Sequence, residues 1–183
     1  LSQAPEPVPG PIAEPRPPIP EPVEGPRIGT PAPDFSLTDQ HGQTVTRSGL
    51  SGAPALVVFY PYAFSGICSS ELTQLQAASA DFAAVGTRLL GVSVDTMFAV
   101  RTFGDQLGVD FPLLSDFWPH GAVAEAYGVF DAERGCAIRG SFLLDADGVV
   151  RWSVRHEIGA ARDISAHLRA ARQLGRPPAI EPS

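Results

Sequence analysis

The stretch Leu56-Val57-Val58-Phe59-Tyr60-Pro61-Tyr62-Ala63-Phe64-Ser65-Gly66-Ile67-Cys68-Ser69-Ser70-Glu71-Leu72 changes periodicity at its middle. Its first part is a run of β-branched and aromatic residues, which reads as a buried strand, and Pro61 ends the run because it cannot donate to a sheet ladder. A turn containing Gly66 follows. Leu72, Leu75, Ser79 and Phe82 then recur at spacings of 3, 4 and 3, which predicts one amphipathic helix over about residues 66–83. Cys68 falls in its first turn, where unpaired N–H groups and the positive end of the helix dipole favour a negative charge such as a thiolate. The competing reading is a small, inert, buried residue, which describes most free cysteines.

The rest of the chain bounds what that junction belongs to. Its 183 residues allow one ordinary domain with an additional segment, and 44% of them are apolar, enough for a packed core. No apolar run approaches the ~18 residues of a membrane span. All 13 basic residues are arginine against 20 acidic residues, giving a net charge of −7, and an acidic domain without a basic stripe argues against a nucleic-acid partner. The two cysteines, Cys68 and Cys136, form no CxxC pair, and two thiols are too few for a disulfide scaffold, so a cytoplasmic location is expected. His41, His120, His156 and His167 are scattered without an i,i+4 pair, so neither a metal nor another cofactor is expected.

Residues 1–27 are expected to be an extended, proline-rich tail or linker, since 10 of the 19 prolines lie within residues 1–26. There is neither an initiating Met nor a signal-peptide hydrophobic stretch, so trimming and leader removal are both open. The folded domain is expected over 28–175, followed by a short tail at 176–183. Within the domain, residues 34–39 and 44–46 read as a hairpin around His41-Gly42, and 88–95 as an apolar strand. A helix should bury Val100, Phe103 and Leu107; 111–114 should be a short strand and 121–127 helical. Residues 136–144 and 149–156 read as antiparallel strands joined by the Asp145–Gly148 turn. The last helix, about 161–174, turns Ile164, Leu168, Ala171 and Leu174 inward and Arg162, Arg169 and Arg172 mostly outward. Alternating strands and helices that end in a hairpin and a helix predict an α/β, thioredoxin-like fold, a central mixed sheet flanked by helices.

These residues resemble a peroxiredoxin. Pro61-x-x-x-Ser65-x-x-Cys68 matches the family's Pro-x-x-x-Thr/Ser-x-x-Cys motif at a strand–turn–helix junction. Phe111–Asp116 resembles its second signature, and Gly135–Phe142 resembles the strand that carries its active-site arginine. The similarity spans about 28–174, and Phe117–Ala122 with Ala126–Val129 are most like the alkyl hydroperoxide reductase E type, which commonly works with one essential cysteine. The resemblance implies a thiol-dependent peroxidase acting on hydrogen peroxide and organic hydroperoxides. It also implies an external thiol, or a glutaredoxin- or thioredoxin-like reductant, and at least a homodimer.

The chemistry assigns roles. An ordinary thiol is already a few per cent thiolate near neutral pH, so complete ionisation gains about 2 kcal/mol at most. A peroxidase must also stabilise charge on the departing oxygen. Arg139 is the candidate fork-shaped donor to sulfur and peroxide, with a surface arginine as the alternative. Ser65 is a hydroxyl donor, a helix N-cap, or both. The Cys68 N–H would complete the cradle, Pro61 would shield the sulfur, and Glu71 would orient Arg139. Strand alternation places Ala137 and Arg139 on one face and Cys136 on the other, so Cys136 should face away from Cys68 and be structural, an intramolecular resolving role being the alternative. Other functions remain open: a redox sensor or binding module, which stops after one equivalent of peroxide, and a disulfide reductase, which needs a cysteine where Ser65 stands.

Overall fold

A computed structural model describes residues 23–175; the proline-rich segment before Val23 and the tail after Gly175 lie outside the described residues. The chain begins with a hairpin, β1 (Ser36–Asp39) and β2 (Thr44–Thr46), paired antiparallel. The Asp39 carboxylate accepts from the N–H groups of His41 and Gln43, which closes the turn. Next come β3 (Ala55–Phe59), α1 (Gly66–Ala77), α2 (Ser79–Ala84), β4 (Arg88–Ser93), α3 (Met97–Leu107) and β5 (Leu113–Ser115). The second half holds α4 (Ala122–Ala126), β6 (Phe130–Asp131), β7 (Cys136–Ala137), β8 (Arg139–Leu144), β9 (Val150–His156) and α5 (Ile164–Leu174).

Seven strands form one mixed sheet in the order β2-β1-β5-β4-β3-β8-β9. β3, β4 and β5 run parallel at its centre, and the hairpins at both sides pair antiparallel. One face buries Val57, Phe59, Val92 and Phe142 with Tyr127 beyond α4. The other buries Leu56, Val58 and Leu143 against Leu72 and Leu75 of α1, Phe103 of α3 and Ile164 of α5. Leu72 and Leu75 are fully buried, each contributing about 2 kcal/mol from apolar area removed from water. Close packing over β4 depends on Gly91: a Cβ there would stand 2.7 Å from Leu113 Cδ2 and 3.3 Å from the Tyr60 ring.

Three local expectations are corrected. The helix expected over 66–83 is two helices broken at Ala78 (φ −93°, ψ 1°). The small residues Ala77 to Ala80 carry no bulk across the break, so α2 can turn and still bury Phe82. The extended run 136–144 is interrupted at Ile138, where Gly140 N–H bonds back to the Ile138 carbonyl. Alternation therefore does not carry across it: Ala137 packs on the Phe142 face of the sheet, while Arg139 points to the α1 face. Counting from Arg139 does not place Cys136. Finally, Arg162 precedes α5 and is buried rather than outward.

Candidate active site

The parallel arrangement of β3, β4 and β5 brings the loops after all three strands to one end of the sheet. The chain leaves β3 through Tyr60 and Pro61, both buried. Phe64 then adopts φ +64°, the one positive φ outside glycine among the described residues, and its ring lies 5.1 Å from Phe103. Such a conformation is costly for a bulky residue and survives where neighbours over-determine it. Here Ala63 N–H donates to Asp95 Oδ2 at 2.7 Å, and the same oxygen accepts from the Ser93 hydroxyl at 2.8 Å, tying the loop to the end of β4. Ser65 follows with extended φ/ψ and caps α1, its Oγ accepting from Cys68 N–H at 3.4 Å. The cap reading of Ser65 is thus met, and the Cys68 N–H expected in the peroxide cradle is turned toward that hydroxyl.

Cys68 is fully buried in the first turn of α1. Arg139 enters from β8, with Nη1 3.4 Å from Cys68 Sγ and 2.8 Å from Glu71 Oε2, while its Nε donates to the Ile158 carbonyl at 2.7 Å. Among the described residues Nη2 of Arg139 meets no acceptor, which leaves it free for a ligand. Arg139 is 1% exposed, so it is not the surface arginine considered as its alternative, and Glu71 is as deeply buried. Cys68, Ser65, Glu71 and Arg139 are brought together; Pro61 is buried at the start of the same loop.

Arg162 is the residue that sequence reading missed. Its backbone N–H and Nε donate to Glu71 Oε1 at 2.7 and 3.2 Å, and its Nη2 donates to Oε2 at 2.7 Å. Its Nη1 faces the carbonyls of Phe59 and Gly140 and the Ser141 hydroxyl at 2.8, 2.9 and 3.1 Å. Burial alone would raise the Glu71 pKa; the Arg162 hydrogen bonds and charge, with the Arg139 charge, outweigh it and hold the carboxyl below the usual carboxylate range. Glu71 is therefore a buried anion shared by two guanidinium groups. No local signal marks Arg162, because its partners lie on β3, α1 and β8, far away in sequence.

Cys136, also fully buried, lies beside the hydroxyl of Tyr62, a residue of the loop that leads to Cys68. That hydroxyl donates to the Arg134 carbonyl at 3.0 Å, and the neighbouring Cys136 thiol, with partial burial, pushes its pKa up to about 12. Burial likewise pushes the Cys136 thiol up. Among the described residues no cluster of three His, Cys, Asp or Glu side chains is arranged to hold a metal ion, and no helix is long and apolar enough to cross a membrane.

A protein-family model described as the AhpC/TSA family matches residues 28–153. The chain is 45% identical over 137 residues to alkyl hydroperoxide reductase E of Mycobacterium tuberculosis, covering 74% of this chain and 90% of that protein. Among solved structures it is similar to Enterococcus faecalis AhpC, with a TM-score of 0.75 and 25% identity over 80% of this chain and 90% of that one. It is also similar to the peroxidoxin BcpB of Mycobacterium tuberculosis, with a TM-score of 0.73 and 28% identity over 81% and 98% of the two chains.

Proposed function

The chain belongs to the AhpC/TSA family, the peroxiredoxins, and is a thiol-dependent peroxidase; on that premise we propose that Cys68 is its peroxidatic sulfur and Arg139 the donor that activates the peroxide. The observation that carries this reading is the buried 3.4 Å approach of Arg139 Nη1 to Cys68 Sγ, with Glu71 locking the same amino group at 2.8 Å. The Cys68 thiolate attacks the nearer oxygen of a hydroperoxide in line with the O–O bond. A sulfur–oxygen bond forms as the O–O bond breaks, and the departing oxygen leaves as water or an alcohol after taking a proton. Sulfur loses two electrons and becomes a sulfenic acid. Arg139, its Nη2 unclaimed among the described residues, stabilises the charge growing on the departing oxygen. Ser65 caps α1 beneath the sulfur and offers its hydroxyl hydrogen to the peroxide, and Pro61 shields the site from water.

The cycle uses one cysteine of this chain. An external thiol attacks the sulfenic sulfur, releasing water and leaving a mixed disulfide; a second thiol then displaces Cys68 as the reduced thiol. Hydrogen peroxide and organic hydroperoxides are the proposed substrates, and a low-molecular-weight thiol or a glutaredoxin- or thioredoxin-like protein the reductant. Cys136 is buried and structural in this reading. Two thiols kept free fit action in the cytoplasm. The proposed homodimer is supported by exposed aromatic residues on the segments that follow the three parallel strands: Phe98 is 71% and Trp118 80% exposed, and Tyr62 and Phe64 are exposed as well.

The test is to mix reduced protein with one equivalent of hydrogen peroxide, follow tryptophan fluorescence by stopped flow, and trap the product for intact mass. A fast change that adds one oxygen and disappears in Cys68→Ser is expected, followed by many turnovers with supplied thiol. A fast change that instead removes two hydrogens within one chain would make Cys136 the resolving residue.

A further inference from the structure

The charged network does not end at Arg162. His167 lies one turn into α5, is 1% exposed, and places Nδ1 2.9 Å from the Asp163 carbonyl and Nε2 2.8 Å from the Ser141 hydroxyl. A carbonyl only accepts, so Nδ1 carries the hydrogen and Nε2 of the neutral ring is an acceptor. The one hydrogen of Ser141 must then go to His167, which leaves its oxygen lone pairs facing Arg162 Nη1 at 3.1 Å. Every bond from there is directional: Arg162 to Glu71, Arg139 to Glu71, Arg139 to Cys68 Sγ.

We propose that His167, acting through Ser141, is a positioning residue for the peroxidatic site: its neutral ring sets the direction of the hydrogen bonds that hold Arg162, and so Glu71 and Arg139, against Cys68. This rests on the assignment of Cys68 and Arg139 as the reacting pair. A protonated ring would put a second donor on Ser141, orphaning the serine's own hydrogen, and a third cation beside two guanidinium groups that share one carboxylate. The groups facing His167 are Arg162 ahead of α5, Glu71 from α1, Ser141 from β8, the uncharged Trp152 from β9, and Asp163 on its own helix, whose carboxylate is exposed and engaged with Ser165 and Arg169. Burial first, then the Arg162 charge, lower the His167 pKa to about 4. The ring is therefore neutral in the working protein.

The experiment compares the rate of Cys68 oxidation by hydrogen peroxide in the wild type, His167→Leu and His167→Gln, each checked for folding by circular dichroism. Leucine removes the acceptor and should slow oxidation about ten-fold at pH 7, as misplacing a distant support does. Glutamine offers an oxygen to Ser141 without titrating, and should recover most of that loss. In pH-jump measurements the wild-type rate should fall about two-fold relative to His167→Gln by pH 4, as half of the rings gain a proton. Trp152 supplies a direct readout, its ring 5.0 Å from His167. In a Trp118→Phe background its fluorescence should be quenched with the same midpoint, and the quench should be absent in His167→Gln. Should His167→Leu fail to fold, the glutamine profile decides alone. Wild-type and glutamine profiles that superimpose, or a folded leucine variant as fast as wild type, overturn the proposal. Slow oxidation of the wild type, or oxidation that survives Cys68→Ser, overturns the assignment of Cys68 beneath it instead.

Discussion

Replacing Glu71 by glutamine changes one buried oxygen to an amide and little else in shape. Each Glu71 oxygen accepts two donors at 2.7–3.2 Å: Oε1 from Arg162 N–H and Nε, Oε2 from Arg162 Nη2 and Arg139 Nη1. Glutamine keeps a single acceptor, so in either orientation its NH2 faces two donors. Two charge-assisted hydrogen bonds are lost, each worth about 1.5–3 kcal/mol, and two guanidinium groups stay buried without their counter-ion. We expect Glu71→Gln to cost about 4 kcal/mol, a large part of the 5–15 kcal/mol that holds a domain of this size. Urea unfolding at pH 7, followed by far-ultraviolet circular dichroism, should show the midpoint falling by about 2 M, using a slope near 2 kcal/mol/M. With Arg139 released, peroxide oxidation of the folded fraction should slow at least ten-fold. Glu125→Gln, an exposed change on α4, should shift stability by less than about 0.5 kcal/mol and serves as the control. A Glu71→Gln protein less than about 1 kcal/mol weaker and equally fast would refute the argument, because the network would then be hydrated rather than dry.

Acid should expose the second titrating group. The native pKa of His167 is lowered from 6.5 to about 4, so the unfolded chain binds the proton more readily; its stabilisation, up to about 3 kcal/mol, is full above pH 6.5 and lost as pH falls toward 4, which urea midpoints across that range will measure against His167→Gln. Glu71, with its carboxyl held low, contributes above the ordinary carboxylate range and loses its contribution only as pH falls below it. Ser65→Ala removes the cap of α1 and should cost about 1 kcal/mol with a measurable loss of oxidation rate, whereas Ser65→Thr should keep both. Cys136→Ser should retain turnover with a small external thiol, measured as peroxide consumed per chain; turnover lost with the first oxidation intact would assign Cys136 a resolving role. Gly140→Ala would set a Cβ 2.5 Å from Val129 Cγ1 beside Arg139, and should lower stability by about 2 kcal/mol in thermal or urea melts.

What the sequence made legible was local. The β-branched run stopped by Pro61, the helix start after Gly66 and the Asp145–Gly148 turn all encode backbone geometry within a few residues, and each lies where the sequence puts it, although the helix then breaks at Ala78. Cys68, Ser65 and Glu71 share one loop and one helix turn, so their proximity needed no tertiary knowledge. Arg139 required only that β8 lie beside β3. Arg162 failed because helical counting was extended ahead of Asp163, the true cap, to about residue 161; ahead of that cap the 3.6-residue period has no meaning, and the side chain turns inward to partners 91 and 103 residues away. The Cys136 argument failed similarly: period-two alternation presumes an unbroken strand, and the Gly140–Ile138 hydrogen bond breaks it. His167 was weighed only against metal binding and set aside for want of an i,i+4 partner; its partner Ser141 sits on a strand 26 residues earlier.

The buried network holds two arginines against one glutamate, an imbalance of one positive charge beside the Cys68 sulfur. In the proposed cycle that surplus makes the site a counter of oxidation level. The thiolate cancels it, and the uncharged sulfenic acid uncovers it again. An incoming thiolate reductant is drawn toward the uncovered charge, and so is a second peroxide reaction, since a sulfinate would restore neutrality as well as the thiolate did. The arrangement that readies the sulfur for its first peroxide thus leaves rescue and over-oxidation in competition, and the supply of external thiol decides between them.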